Sequence, residues 1–161
     1  MTSSNPLERP APRLPLPLVL PLRLLPARAH SSLLAKLLNR LFAPELADGE
    51  LDFLSARVLL IRLKDARLDY RLTIRASKLS AAPEQQSADL IIEGSVYDFL
   101  LLATRREDAD TLFFNRRLRL SGDIELGLQV KNFIDALELD ERLGPLLKLL
   151  DSTTGLIGRF A

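Results

Sequence analysis

The sequence predicts an α+β domain in which a mostly antiparallel sheet is covered by helices. Three observations lead there. Apolar residues recur at helical spacing after Ser31 and again after Asp123, the segments between alternate with a period of two, and short polar turns join the first strand-like runs. The 161 residues fit one domain with a modest appendage. The expected boundaries are a proline-rich arm over 1–28, a domain over 29–150 and a C-terminal tail over 151–161.

Residues 6–28 form an apolar tract interrupted by Pro10, Pro12, Pro15, Pro17, Pro21 and Pro26. Proline fixes φ and pushes its predecessor out of the helical region, so this arm is extended or turn-rich. It offers neither the uninterrupted run of about 20 apolar residues of a membrane span nor the layout of a secretory signal. The expected location is cytoplasmic. A peripheral contact at the inner membrane face is a second reading of the arm, with leucines dipping in and Arg13, Arg23 and Arg28 meeting anionic headgroups.

From Ser31 to Phe42, Leu34, Leu37, Leu38 and Leu41 form one stripe of an amphipathic helix, with Ser31 or Ser32 able to cap its start. Asp48-Gly49 turns the chain. Leu59, Ile61 and Leu63, then Leu68, Tyr70, Leu72 and Ile74, alternate as two half-buried strands, and Lys64 to Arg67 joins them as a hairpin. A third strand is expected at 89–94. Ser95 caps a helix over 96–103, residues 111–115 make an apolar turn, and a last strand over 116–122 carries Leu118 and Leu120 inward. Asp123 then caps a helix over 124–137, and a short helix begins at Leu143.

Composition removes several function classes. With 22 Lys and Arg against 21 Asp and Glu, no global charge excess draws the chain to nucleic acid, and aromatics at 6% supply no stacking platform. There is no Cys, hence no thiolate metal site, disulfide or Cys nucleophile. His30 is the lone histidine, and no motif links it to Asp69, Tyr70 or Asp98, the nearest candidates for a catalytic cluster. No catalytic residue, metal ligand or cofactor is therefore assigned.

Three segments carry a resemblance: Ala88-Asp89-Leu90-Ile91-Ile92-Glu93-Gly94-Ser95, then Asp110-Thr111-Leu112-Phe113-Phe114-Asn115-Arg116-Arg117-Leu118, and Leu120-Ser121-Gly122-Asp123-Ile124-Glu125-Leu126-Gly127-Leu128. With the order of elements, they resemble the sterol carrier protein type 2 domain, and the last two resemble the bacterial ubiquinone-biosynthesis accessory factors of that family. The resemblance covers about residues 31–150. It implies a sterol-carrier-like fold with an apolar cavity, an isoprenoid quinone or prenylphenol ligand, and support of ubiquinone synthesis when oxygen is unavailable. Pathway hydroxylases and methyltransferases would be the protein partners. The rival reading is a membrane-associated scaffold that tethers such enzymes without holding a lipid.

The expected lipid-contacting residues are Phe99, Leu102, Phe113, Phe114, Leu120, Leu126, Val130, Phe133, Ile134 and Leu137. Periodicity alone does not separate a wall packed on protein from one packed on lipid. Asp123 and Glu125 read as capping charges at a helix start rather than as paired catalytic carboxylates. Arg105-Arg106 and Arg116-Arg117 with Arg119 are either solvated surface or a contact for anionic lipid or an acidic partner.

Overall fold

A computed structural model describes residues 24–103 and 105–137. Helix α1 (Ala27–Leu41) leads through α2 (Ala43–Ala47) and a 3₁₀ turn (Asp52–Leu54) into strands β1 (Leu59–Leu63), β2 (Leu68–Arg75), β3 (Lys78–Ala81) and β4 (Leu90–Gly94). Helices α3 (Val96–Ala103) and α4 (Ala109–Phe114), strand β5 (Arg119–Gly122) and helix α5 (Ile124–Ala136) complete the order. The helix expected from Leu143, most of the arm and the tail lie outside the described residues.

The five strands run in the order β3-β2-β1-β4-β5. All neighbours pair antiparallel except β1 and β4, which are parallel, with Leu59 opposite Leu90 and Leu63 opposite Gly94. Asp89 pins this pairing at its start: its carboxylate accepts the Val58 N–H at 2.7 Å and its own N–H donates to the Val58 carbonyl at 2.9 Å. The same residue's carbonyl accepts the Asp123 N–H at 2.8 Å, so one loop position ties β1, β4 and the start of α5.

Strand β3 was not expected, and the reason is its turn. Ala76 and Ser77 both hold positive φ, at 49° and 60°, the conformation of a two-residue hairpin turn that Asn-Gly normally signals. Helix α1 compensates along this strand. The Asn39 amide donates to the Leu79 carbonyl at 2.9 Å and accepts the Leu79 N–H at 2.8 Å, so it pairs the outer edge of β3 as another strand would.

Three further expectations are corrected here. The first helix begins at Ala27, inside the span assigned to the arm, and Pro26 stands at its N-cap without a side-chain bond. Ser31 is no cap: it is 2% exposed, and its hydroxyl accepts the Arg71 N–H at 3.0 Å where the β3 ladder has ended. Phe113 and Phe114 close helix α4 rather than forming a turn, and Asp108 caps that helix by accepting from the Thr111 N–H at 2.7 Å.

The main core lies on one face of the sheet. Ala35 of α1 and Leu126 and Val130 of α5 pack there with Leu59, Leu72, Ile74, Leu90 and Ile92. A second core joins Leu101, Leu112 and Leu118, and half-buried Phe99 and Phe113 pack against both. The Phe133 ring meets Phe42 edge-on at 5.4 Å and Phe53 at 6.4 Å, which ties α5 to the end of α1 and the 3₁₀ turn.

Candidate lipid-binding site

An apolar groove of about 260 Å³ runs between edge strand β5 and helix α5. Leu90, Leu120, Ile124, Gly127 and Leu128 line it, with Ser121, Gly122, Asp123 and Lys131. Two glycines shape it for different reasons. At Gly122 the backbone has φ +111°, and a Cβ would stand 2.3 Å from the Asp89 carbonyl oxygen, so no side chain fits. Gly127 has ordinary contact room, and as a helix-interior glycine it costs about 1 kcal/mol relative to alanine.

Two of the apolar lining residues stay exposed to an unusual degree. Ile124 is 89% exposed and Leu128 56%, four residues apart on the side of α5 that does not face the core. At the rim, Asp123 accepts the Leu126 N–H at 3.0 Å as the cap of α5 and pairs with Arg57 at 2.7 Å. Those two contacts hold its carboxyl below the usual carboxylate range, the backbone bond first. Lys131 Nζ lies 2.6 Å from Asp110 and 3.3 Å from Asp135, and the Asp110 bond raises its pKa.

Of the ten residues expected to contact lipid, Leu120 lines this groove, at 37% exposure. Leu126, Val130 and Leu137 are buried, and Leu126 and Val130 belong to the main core. Phe133 and Ile134 are half-buried against that core, Leu102 against the second, and Phe99 and Phe113 against both. Phe114 points to solvent, 89% exposed. The groove residues not expected to contact lipid are Leu90, Ser121, Gly122, Asp123, Ile124, Gly127, Leu128 and Lys131. The available signal was that α5 carries leucine-type residues on two sides, with a glycine between them.

The groups weighed as a catalytic cluster are separated into structural roles. Asp69 pairs with Arg62 at 3.0 Å, and Asp98 with Arg117 at 2.6 Å. His30 and Tyr70 do meet, rings edge-on at 6.3 Å, and His30 Nε2 lies 2.7 Å from the Leu25 carbonyl oxygen. Burial raises the Tyr70 pKa. Among the described residues no group of three or more His, Cys, Asp and Glu could hold a metal ion, and no helix is long and apolar enough to cross a membrane.

Comparison with known proteins agrees with this architecture. Residues 34–135 match the model of the SCP-2 sterol transfer family. The chain is 40% identical over 124 residues to the ubiquinone biosynthesis accessory factor UbiT of Escherichia coli (strain K12), covering 77% of this chain and 71% of that protein. Its counterpart in Escherichia coli O157:H7 matches to the same extent. The solved structure called UbiJ-SCP2 Ubiquinone synthesis protein superposes with a TM-score of 0.52 at 18% identity, over 63% of this chain and 90% of that one, a likeness of fold. Sequence and architecture together make this chain a member of the SCP-2 sterol transfer family.

Proposed function

We propose that the protein is a non-catalytic accessory factor of ubiquinone biosynthesis that binds isoprenoid quinones or their precursors and presents them to pathway hydroxylases and methyltransferases, including when oxygen is scarce. The observation that carries the reading is the groove between β5 and α5, whose walls are leucine and isoleucine. Transfer from water gains about 0.8 kcal/mol per buried methylene, so such walls hold a prenyl group without directional bonds. The groove, at about 260 Å³, lies at the lower end of ligand-pocket volumes and suits one end of a long lipid.

Membrane contact is assigned to α1. Leu33 and Leu37 are 62% and 54% exposed on its outer side, with Leu24 82% exposed just before it. Arg28, Lys36 and Arg40 are exposed around them. Residues 9–44 contain six Lys and Arg and no Asp or Glu, whereas the rest of the chain has 16 against 21. Each such cation near an anionic bilayer adds on the order of 1 kcal/mol. The proposed location is the cytoplasm, peripheral at the inner membrane face.

The test is mass spectrometry of an organic extract from protein purified without detergent, beside an unrelated protein treated alike. Enrichment of an isoprenoid quinone or prenylphenol is expected. A folded protein that carries no such lipid and fails to bind added quinone would sink the proposal, as would gene loss without a quinone defect under oxygen limitation.

A further inference from the structure

Among the described residues strand β5 is the free edge of the sheet. It stands last in the order β3-β2-β1-β4-β5, and its residues Arg119–Gly122 are all exposed. The other edge is covered, because Asn39 of α1 pairs both backbone groups of Leu79 on β3. A bare edge is a template for a further strand, and folded proteins pair, cover or blunt it. Strand β5 has no proline, and no charged residue besides Arg119, to blunt it. Exposed Leu120, Ile124 and Leu128 line the groove beside it, so a strand added there would also bury apolar side chains.

The sequence ahead of α1 has the pattern of a strand suited to such an edge. Leucine occupies every even position from Leu14 to Leu22, and the prolines of that stretch, Pro15, Pro17 and Pro21, fall on odd positions alone. In an extended strand successive residues turn their side chains to opposite faces, and their N–H and C=O groups to opposite edges. Pairing the leucines to a sheet therefore puts their side chains on one face and aims every proline at solvent, where a missing N–H breaks no ladder bond. The prolines also close the new edge to further strands. A polyproline helix gains nothing from this phase, because its three residues per turn scatter leucines of period two around the axis.

The chain is long enough to reach. Ser31 accepts the Arg71 N–H and the His30 ring meets Tyr70, so α1 starts on β2. A strand outside β5 lies four interstrand spacings from β2, about 19 Å. At about 3.3 Å per extended residue, about six residues cross that distance, and residues 19–24 supply them. We propose that residues 14–18 pair with β5 as a sixth strand of the same chain's sheet, seating Leu14, Leu16 and Leu18 in the groove against Leu120, Ile124 and Leu128. The pairing needs no lipid and stands or falls apart from the function proposed above. Where a lipid takes the groove, the three leucines leave it.

The experiment places a nitroxide on the full chain through Gln129→Cys, an exposed position of α5 next to Leu128, in a sequence that has no cysteine of its own. With leucine labelled in nitrogen-15, NMR reads the amides of Leu14, Leu16 and Leu18. Their signals should lose most of their intensity to the nitroxide, and Leu16→Asp with Leu18→Asp should restore it, because a carboxylate is not buried against leucines without a partner. The outward amides of β5 should exchange about tenfold faster in that double variant. Full intensity at all three amides before the aspartates are introduced overturns the proposal, as does intensity loss that survives them, or equal exchange on β5 with and without them. In a mixture of unlabelled chains bearing the nitroxide with labelled chains lacking it, the signals should stay intact. Equal loss in the mixture would seat the arm of a second copy there and overturn the same-chain strand.

Discussion

Asp98 allows the sharpest test of how the second core is held. Its carboxylate is 5% exposed, and it closes a reciprocal cap with Ser95: the Ser95 hydroxyl donates to it at 2.6 Å, the Ser95 N–H at 3.2 Å, and the Asp98 N–H donates back to the hydroxyl at 3.1 Å. Its other oxygen faces Arg117 Nη2 at 2.6 Å, and that guanidinium lies 5.5 Å over the Tyr97 ring. Arg117→Met removes the cation and leaves a buried carboxylate half-compensated. Breaking a fully buried pair costs about 3–5 kcal/mol, and Arg117 keeps 32% of its side chain exposed, so about 2 kcal/mol is expected. Asp98→Ala also loses the cap, worth about 1 kcal/mol, for about 3 kcal/mol in all. The chain has no Trp, so urea unfolding is followed by far-UV circular dichroism. With a slope of about 1–3 kcal/mol per molar urea, these costs move the midpoint by about 1 M. The double variant should cost well under the sum of the two. Single costs below about 0.5 kcal/mol, or strict additivity, would refute a coupled pair.

Other perturbations follow from the same geometry. Asn39→Ala strips both backbone partners from Leu79 and should cost about 2 kcal/mol, read by urea unfolding, with amide exchange at Leu79 rising most. Gly122→Ala forces a Cβ to 2.3 Å from the Asp89 carbonyl oxygen at a positive φ and should cost more than about 3 kcal/mol; a soluble variant with unchanged thermal midpoint would contradict the close approach. Asp108 and Asp123 both have carboxyls held below the usual range, chiefly by backbone N–H bonds from Thr111 and Leu126. A depressed folded pKa gives stability that is present above the unfolded value and lost as pH falls through the folded one. The Asp108→Asn, Asp123→Asn double variant should therefore melt below the wild type at pH 6 and converge with it near pH 2. Leu33→Glu with Leu37→Glu should reduce sedimentation with anionic vesicles while leaving the thermal midpoint nearly unchanged, because both side chains are largely exposed.

The elements legible in the sequence are those whose signals are local. Asp123 before an apolar stripe announced α5, and Ser95 announced α3, because a capping side chain bonds within three residues of itself. The β1 and β2 hairpin followed from alternation on both sides of a polar turn. Strand β3 was hidden by Ala76-Ser77, residue types that do not advertise the positive φ they adopt. Ser31 misled for a related reason: its hydroxyl serves Arg71, 40 residues away, and local spacing carries no trace of that bond. The candidate site was less legible than the fold. The inward stripe of α5 is real, but Leu126 and Val130 are spent on the core, and the groove uses the opposite side of the helix through Ile124 and Leu128.

That division of α5 bears on the groove and the membrane contact proposed above. Helices α1 and α5 cover the same sheet face, since Ala35 and Leu126 share a core and Phe42 touches Phe133. Their outward sides differ in charge. Helix α1 has Arg28, Lys36 and Arg40 and no carboxylate, whereas the border of α5 pairs every cation of its groove with Asp110, Asp123 or Asp135. On the function proposed above, an anionic bilayer would be drawn to the first and would gain nothing at the second. On this argument the near-zero net charge of the whole chain conceals the feature that matters, an excess of six positive charges over residues 9–44 offset by a deficit elsewhere.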